Sequence, residues 1–205
     1  MAQAYPLEFD VEYPDRQLNR LTSAFRIFTA LPILIVLIAI GGVAVVATGA
    51  DTTEVVATGS GLLFLPPLLM IVFRGKYPRW WYDFNVELLR FENRVGVYLA
   101  LMDDRYPSTD EQQSVRLNVP EPVGLNRWLP LVKWLLAIPH YILLVMLYVG
   151  GLFAVVIAWF AILFTGRFPR GIFDYLVGVG RWTNRVTAYA FILVTDEYPP
   201  FRLSA

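Results

Sequence analysis

Long stretches of this chain carry no Lys, Arg, Asp or Glu: none lies between Arg26 and Asp51, none between Glu54 and Arg74, and none from Trp134 to Thr165. A bilayer core of about 30 Å is crossed by about 20 mainly apolar helical residues. The first two stretches therefore predict spanning helices at Ile27–Ala47 and Val55–Phe73, joined by the polar turn Thr48–Glu54. A straight helix over the whole third stretch would overshoot that core. The reading is instead a tight hairpin, Trp128–Val149 and Leu152–Phe168, folded at Gly150-Gly151, with Arg127 and Lys133 snorkelling at its start. Composition agrees. The chain is 57% hydrophobic and 17% charged, against about 45–50% and about 25% in ordinary soluble domains. The expected fold is a mainly α polytopic membrane protein with four transmembrane helices.

All 17 Lys and Arg residues lie outside 27–73 and 134–166. The positive-inside rule then places the N-terminus, the central segment and the C-terminus in the cytoplasm, with both hairpin tips outside. Met1–Pro14 holds three acids, no basic residue and no apolar core, so no cleaved signal peptide is expected.

The chain also matches itself. Arg20, Arg26 and Pro32 correspond to Arg127, Lys133 and Pro139 at an offset of 107, and Gly75-Lys76-Tyr77-Pro78-Arg79 corresponds to Gly166-Arg167-Phe168-Pro169-Arg170 at an offset of 91. Asp83, Arg90, Asn93-Arg94-Val95 and Tyr98 continue the second offset to Asp174, Arg181, Asn184-Arg185-Val186 and Tyr189. Tandem hairpin repeats follow: a first at 1–107, a linker with the start of the next strand at 108–122, and a second at 123–205. With even crossings in each half the copies enter the membrane in parallel, related by an axis along its normal. Duplication either enlarges the bundle or creates a functional interface between halves.

After each hairpin, Tyr77–Arg94 and Phe168–Arg185 interleave aromatics and arginines at helical spacing. Such helices fit the headgroup layer, where indoles partition and guanidinium forks match phosphates. The candidate headgroup contacts are Arg79, Trp80, Trp81, Arg90, Arg94, Arg170, Arg181, Trp182 and Arg185; generic interfacial anchoring is the plainer alternative. Asp83 and Asp174, two turns before Arg90 and Arg181, are candidates for structural ion pairs. Leu7–Tyr13 and Val115–Val119 alternate apolar and polar with period two and read as strands. Val95–Met102 and Val186–Val194 either join them in a small cytoplasmic sheet or continue the interfacial helices.

The string Gly166-Arg167-Phe168-Pro169-Arg170, with Phe173-Asp174-Tyr175, Arg181-Trp182, Arg185-Val186 and Asp196-Glu197-Tyr198-Pro199-Pro200-Phe201, resembles the bacterial and archaeal membrane family called domain of unknown function 4389. The first half resembles a more divergent copy, with Trp80-Trp81 where the second has Gly171-Ile172, and Pro66-Pro67 where it has Ile157-Ala158. The resemblance implies a prokaryotic plasma membrane and brings no catalytic residues with it.

The absence of cysteine removes disulfides, thiolate catalysis and Cys-ligated metals. His140 has no acidic neighbour in sequence and reads as a packed or interfacial residue. Phosphate-loop, His-Glu-x-x-His and Gly-x-Ser-x-Gly motifs are missing, so no cofactor, no metal and no enzyme activity are expected, and zero net charge gives no pull toward nucleic acid. Two functions stay open. One is a scaffold or accessory subunit of a membrane complex, binding anionic lipid and either itself or another membrane protein, with Gly41-Gly42, Gly59, Gly61 and Gly150-Gly151 permitting close approach. The other is an oligomeric channel or carrier for ions, lipids or small apolar solutes, although Thr29, Thr58, Ser60, His140, Tyr141, Tyr148 and Thr165 give it sparse polar lining.

Overall fold

The computed structural model describes residues 5–41, 44–47, 53–56, 63–111 and 113–204. It is mainly helical. In chain order it runs β1 (Glu8–Val11), α1 (Arg20–Ala24), α2 (Arg26–Gly41), β2 (Ala44–Ala47), β3 (Thr53–Val56) and α3 (Leu65–Leu69), which passes into a π-helical turn over Met70–Arg74. Then come α4 (Arg79–Leu99), β4 (Val115–Asn118), α5 (Pro130–Leu136), α6 (Ile138–Thr165) and α7 (Arg170–Ala190).

The expected second hairpin is one continuous helix. α6 runs 28 residues through Gly150-Gly151, about 42 Å at 1.5 Å per residue. Among the described residues it is the one helix long and apolar enough to cross a membrane. Its glycines do not interrupt it, and α7 occupies the space they leave. A Cβ on Gly150 would sit 2.8 Å from the Tyr175 hydroxyl, and one on Gly151 would touch Leu176 at 3.5 Å. Ala137, Leu144, Gly151 and Ala158 are buried at intervals of seven positions, and at the glycine pair the missing side chains let the two helices pack closely.

The first expected hairpin also differs. α2 stops at Gly41, and Ala44–Ala47 pairs antiparallel with Thr53–Val56. The β-branched valines and threonine of those two segments favour the pleated strand over the helix. Thr48–Thr52 of the expected turn, together with Gly42, Thr58, Gly59, Ser60 and Gly61, lie outside the described residues. Pro66 and Pro67 open α3, and Pro139 opens α6. At a helix start proline forfeits no hydrogen bond, so of the expected kink sites only Pro32 lies within a helix, α2.

β1 and β4 pair antiparallel, Phe9 opposite Leu117 and Val11 opposite Val115. The other two segments considered for this sheet continue α4 and α7 and then turn. Each turn holds a buried leucine in the left-handed region, Leu101 at φ 63° and Leu193 at φ 57°. α7 lies between α6 and β1, and α4 between α2 and β4.

Several features recur at the sequence offsets. α4 and α7 are both 21 residues long, and each starts after an extended proline, Pro78 or Pro169. Each of these segments is preceded by a left-handed glycine, Gly75 at φ 63° or Gly166 at φ 73°, that closes the previous helix. Asn19 and Asn126 cap the following backbone N–H groups with their side-chain oxygens. Across the seam between α4 and α7, Asn93 and Asn184 exchange amide hydrogen bonds, 2.7 Å in both directions. Replacing either asparagine with leucine leaves the other's amide without its partner, and is expected to lower stability by about 1–3 kcal/mol. The double leucine variant is expected to lose less than the two single losses added, read by denaturant titration in detergent.

Candidate functional site

A half-open cavity of about 850 Å³ is bounded by β1, β4, α4 and α7. Period-two alternation turns Leu7, Phe9, Val115 and Leu117 inward to the core. Their backbone carbonyls and the polar residues between them are left for the arginines of α4 and α7. Arg90 donates to the Leu117 carbonyl through Nε (3.3 Å) and Nη2 (3.2 Å). Arg181 donates to the Phe9 carbonyl at 2.9 Å. Arg90 of α4 thus grips β4, and Arg181 of α7 grips β1.

Five arginines and four carboxylates line this cavity. Arg90 pairs with Glu87 and Arg181 with Asp10 at 3.0 Å, while Arg116 reaches Glu12 only at 3.9 Å. The two deepest, Arg94 and Arg185, are 7% and 2% exposed. Among the described residues neither forms a salt bridge. Arg94 Nη1 donates to the Ser108 and Thr109 carbonyls at 3.0 and 3.1 Å. Arg185 donates to the carbonyls of Arg202 at 3.2 Å and Ser204 at 2.9 Å. Both Nε atoms are buried without a hydrogen-bond partner. Burial and the neighbouring charges of Arg202 and Arg181 push the Arg185 guanidinium below its ordinary value, the direction expected where positive charge is under-compensated. Hydrogen bonding to Ser108, with Arg94 as a minor contributor, lowers the exposed Asp110 carboxyl.

The expected headgroup residues therefore divide. Arg79, Trp80 and Arg170 are exposed at the starts of α4 and α7. Arg79 meets Glu121 at 3.3 Å, Trp80 stacks edge-on with the half-buried Trp81, and Arg170 lies 4.6 Å over the Tyr13 ring. Arg94, Trp182 and Arg185 are buried instead, because α4 and α7 are covered on two sides rather than lying free at a surface. Asp83 and Asp174 are exposed, and among the described residues neither forms an ion pair.

Trp182 donates from Nε1 to His140 Nδ1 at 3.0 Å. The imidazole is fully buried and stacks on Phe201 at 4.1 Å and 11°, with Tyr198 at 4.9 Å. His140 is thus a packed residue that ties α6 and α7 to the Tyr-Pro-Pro-Phe tail. Beside it Lys133, with no exposed side-chain surface, donates to the Thr195 carbonyl at 2.7 Å and pairs with Asp196 at 2.7 Å. Its counterpart by sequence offset, Arg26, lies 4.0 Å over the Tyr98 ring, and its guanidinium has no hydrogen-bond partner. Among the described residues, no three His, Asp or Glu side chains cluster as a metal site.

Periodicity alone missed Tyr5, Arg116 and the Lys133–Asp196 pair. The usable signal was the shared Asn-Arg-Val triplet, which falls where the halves meet.

Residues 128–202 match the family model described as a domain of unknown function, DUF4389. The matched segment holds α5, α6, α7, the His140 cluster and the Lys133–Asp196 pair. No curated protein and no solved structure matches the chain.

Proposed function

We propose that this chain is a non-catalytic integral membrane protein, held in the bilayer by α6, that serves as a scaffold or accessory subunit of a membrane assembly. The observation that carries this reading is the outer surface of α6. Ile142, Leu152, Phe153, Ile157 and Phe164 are each 59–78% exposed, on a helix without a Lys, Arg, Asp or Glu. Ile27, Phe28, Leu31 and Ile35 on α2 extend the same character. An apolar surface so far beyond that of a water-soluble monomer calls for lipid or another protein. The polar strand pair lies behind α7, away from this surface, and its arginines suit a cytoplasmic location. The Tyr5 hydroxyl donates to the Glu197 carbonyl at 3.2 Å, which supports both tails lying on one side. The recurring caps, the equal helices and the Asn93–Asn184 exchange support descent of the two halves from a duplicated unit.

Burial of Glu92 in α4 raises its carboxyl above the ordinary value. The ionised form is therefore disfavoured in the fold, and stability falls as pH rises through that raised value. Glu92→Gln is expected to raise the melting temperature at pH 7 and to leave it unchanged below pH 4, as followed by thermal unfolding in detergent.

The reading is tested by extracting the chain from its source membrane into native nanodiscs and weighing the particle by native mass spectrometry. A stoichiometric complex with a second membrane protein supports the accessory role. A chain recovered in the soluble fraction overturns it, and a lipid-filled homo-oligomer with measurable solute flux replaces it with a conduit.

A further inference from the structure

We infer that the cavity between β1, β4, α4 and α7 is a binding site for a phosphate-bearing anion, with Arg94 and Arg185 at its base and Arg116 at its rim. The inference does not depend on the membrane reading, because the cavity lies on the polar side of α4 and α7 and would bind equally in a soluble particle.

Three observations carry it. The volume, about 850 Å³, is that of a small-molecule pocket. Arg94 and Arg185 are more than nine-tenths buried with no ion-pair partner among the described residues, and each keeps an unused Nε–H. A buried guanidinium without a paired counter-charge is unfavourable; Asp110 offsets Arg94 only at a distance, and an anion in the cavity would bring negative charge to both arginine side chains where they line it. Lastly, the two arginines come from equivalent positions of α4 and α7, so each helix contributes one of them to the lining. A tetrahedral phosphate, with oxygens pointing several ways and an affinity for guanidinium forks, fits two such donors better than a planar carboxylate does. Arg94 Nη1 is held by the Ser108 and Thr109 carbonyls, and both terminal nitrogens of Arg185 by the Arg202 and Ser204 carbonyls, so the side chains are held in place before any ligand arrives.

Glu8 also lines the cavity, opposite Asn118 in the strand pair, and among the described residues it has no ion pair. It works against an anion. Glu8→Gln is therefore expected to tighten binding several-fold, a gain that a damaged fold does not produce. Arg116→Gln, at a side chain 71% exposed, is expected to weaken binding several-fold without loss of structure. Arg185→Lys is expected to abolish binding but also loosens the tail, so the first two variants decide.

The experiment is isothermal titration of the purified full chain in a neutral detergent, first with inorganic phosphate and then with dihexanoyl phosphatidate. Saturable one-to-one binding of either probe, tightened by Glu8→Gln and weakened by Arg116→Gln, is the expected result. Phosphatidate bound at least tenfold more tightly than phosphate identifies a lipid headgroup as the source, and equal affinities identify a free phosphate compound. No saturable binding of either probe, or affinities unmoved by both variants, overturns the assignment.

Discussion

Asp196→Ala is expected to destabilise the fold by about 3–5 kcal/mol, the range found when one partner of a buried ion pair is removed. Lys133 has no exposed side-chain surface and two oxygen partners, the Thr195 carbonyl and the Asp196 carboxylate, both at 2.7 Å. With the carboxylate gone, the ammonium retains one carbonyl and the Tyr189 ring 5.1 Å away. Asp196 also accepts from the Asn126 backbone N–H, so the same change loosens the start of α5. Desolvation already pushes the Lys133 ammonium below its ordinary value, against the opposing effect of Asp196. Chemical denaturation of the single variant and of Lys133→Met/Asp196→Ala checks the cause. The double variant is expected to recover most of the loss, since removing both charges leaves nothing unpaired. A double variant as unstable as the single would instead assign the loss to the Asn126 contact.

Much of this was legible in residue patterns. Alternation placed β1 and β4, and the Gly-x-x-Pro-Arg strings marked where α4 and α7 begin, because a left-handed glycine and a proline act locally. Gly150-Gly151 misled for a non-local reason. Glycine pairs break helices when solvent or another turn takes the backbone, yet here Tyr175 and Leu176 fill the gap from α7. Length misled in the same place, since the expected break came from fitting one run to an assumed thickness. The arginine pattern was read correctly as helical and amphipathic, but amphipathicity does not say what covers the polar face. In α4 and α7 that cover is the strand pair, the Ser108-Thr109 segment over Arg94 and the C-terminal tail over Arg185, so these two are internal while Arg79 and Arg170 stay outside. The Asn-Arg-Val triplet was visible as a correspondence, and its meeting across the seam required the fold.

Phe153→Arg separates a lipid-facing α6 from a water-facing one. Phe153 is 65% exposed and close to the middle of the helix. On a surface in water, exchanging an exposed phenylalanine for arginine changes stability by about 0.5 kcal/mol or less, and solubility rises. Within the hydrocarbon the same exchange adds about 3–4 kcal/mol at a helix centre on the insertion scale, the arginine cost plus the lost phenylalanine gain. Snorkelling offers no escape, because half of a core about 30 Å thick puts the aqueous boundary about 15 Å away, beyond the reach of an arginine stem. Membrane-integrated yield in cells is therefore expected to fall by tenfold or more, while Phe164→Arg, at the end of α6 where the side chain can snorkel to water, is expected to be tolerated. Equal yields for wild type and Phe153→Arg would remove lipid from that face of α6 and overturn its role as the membrane anchor.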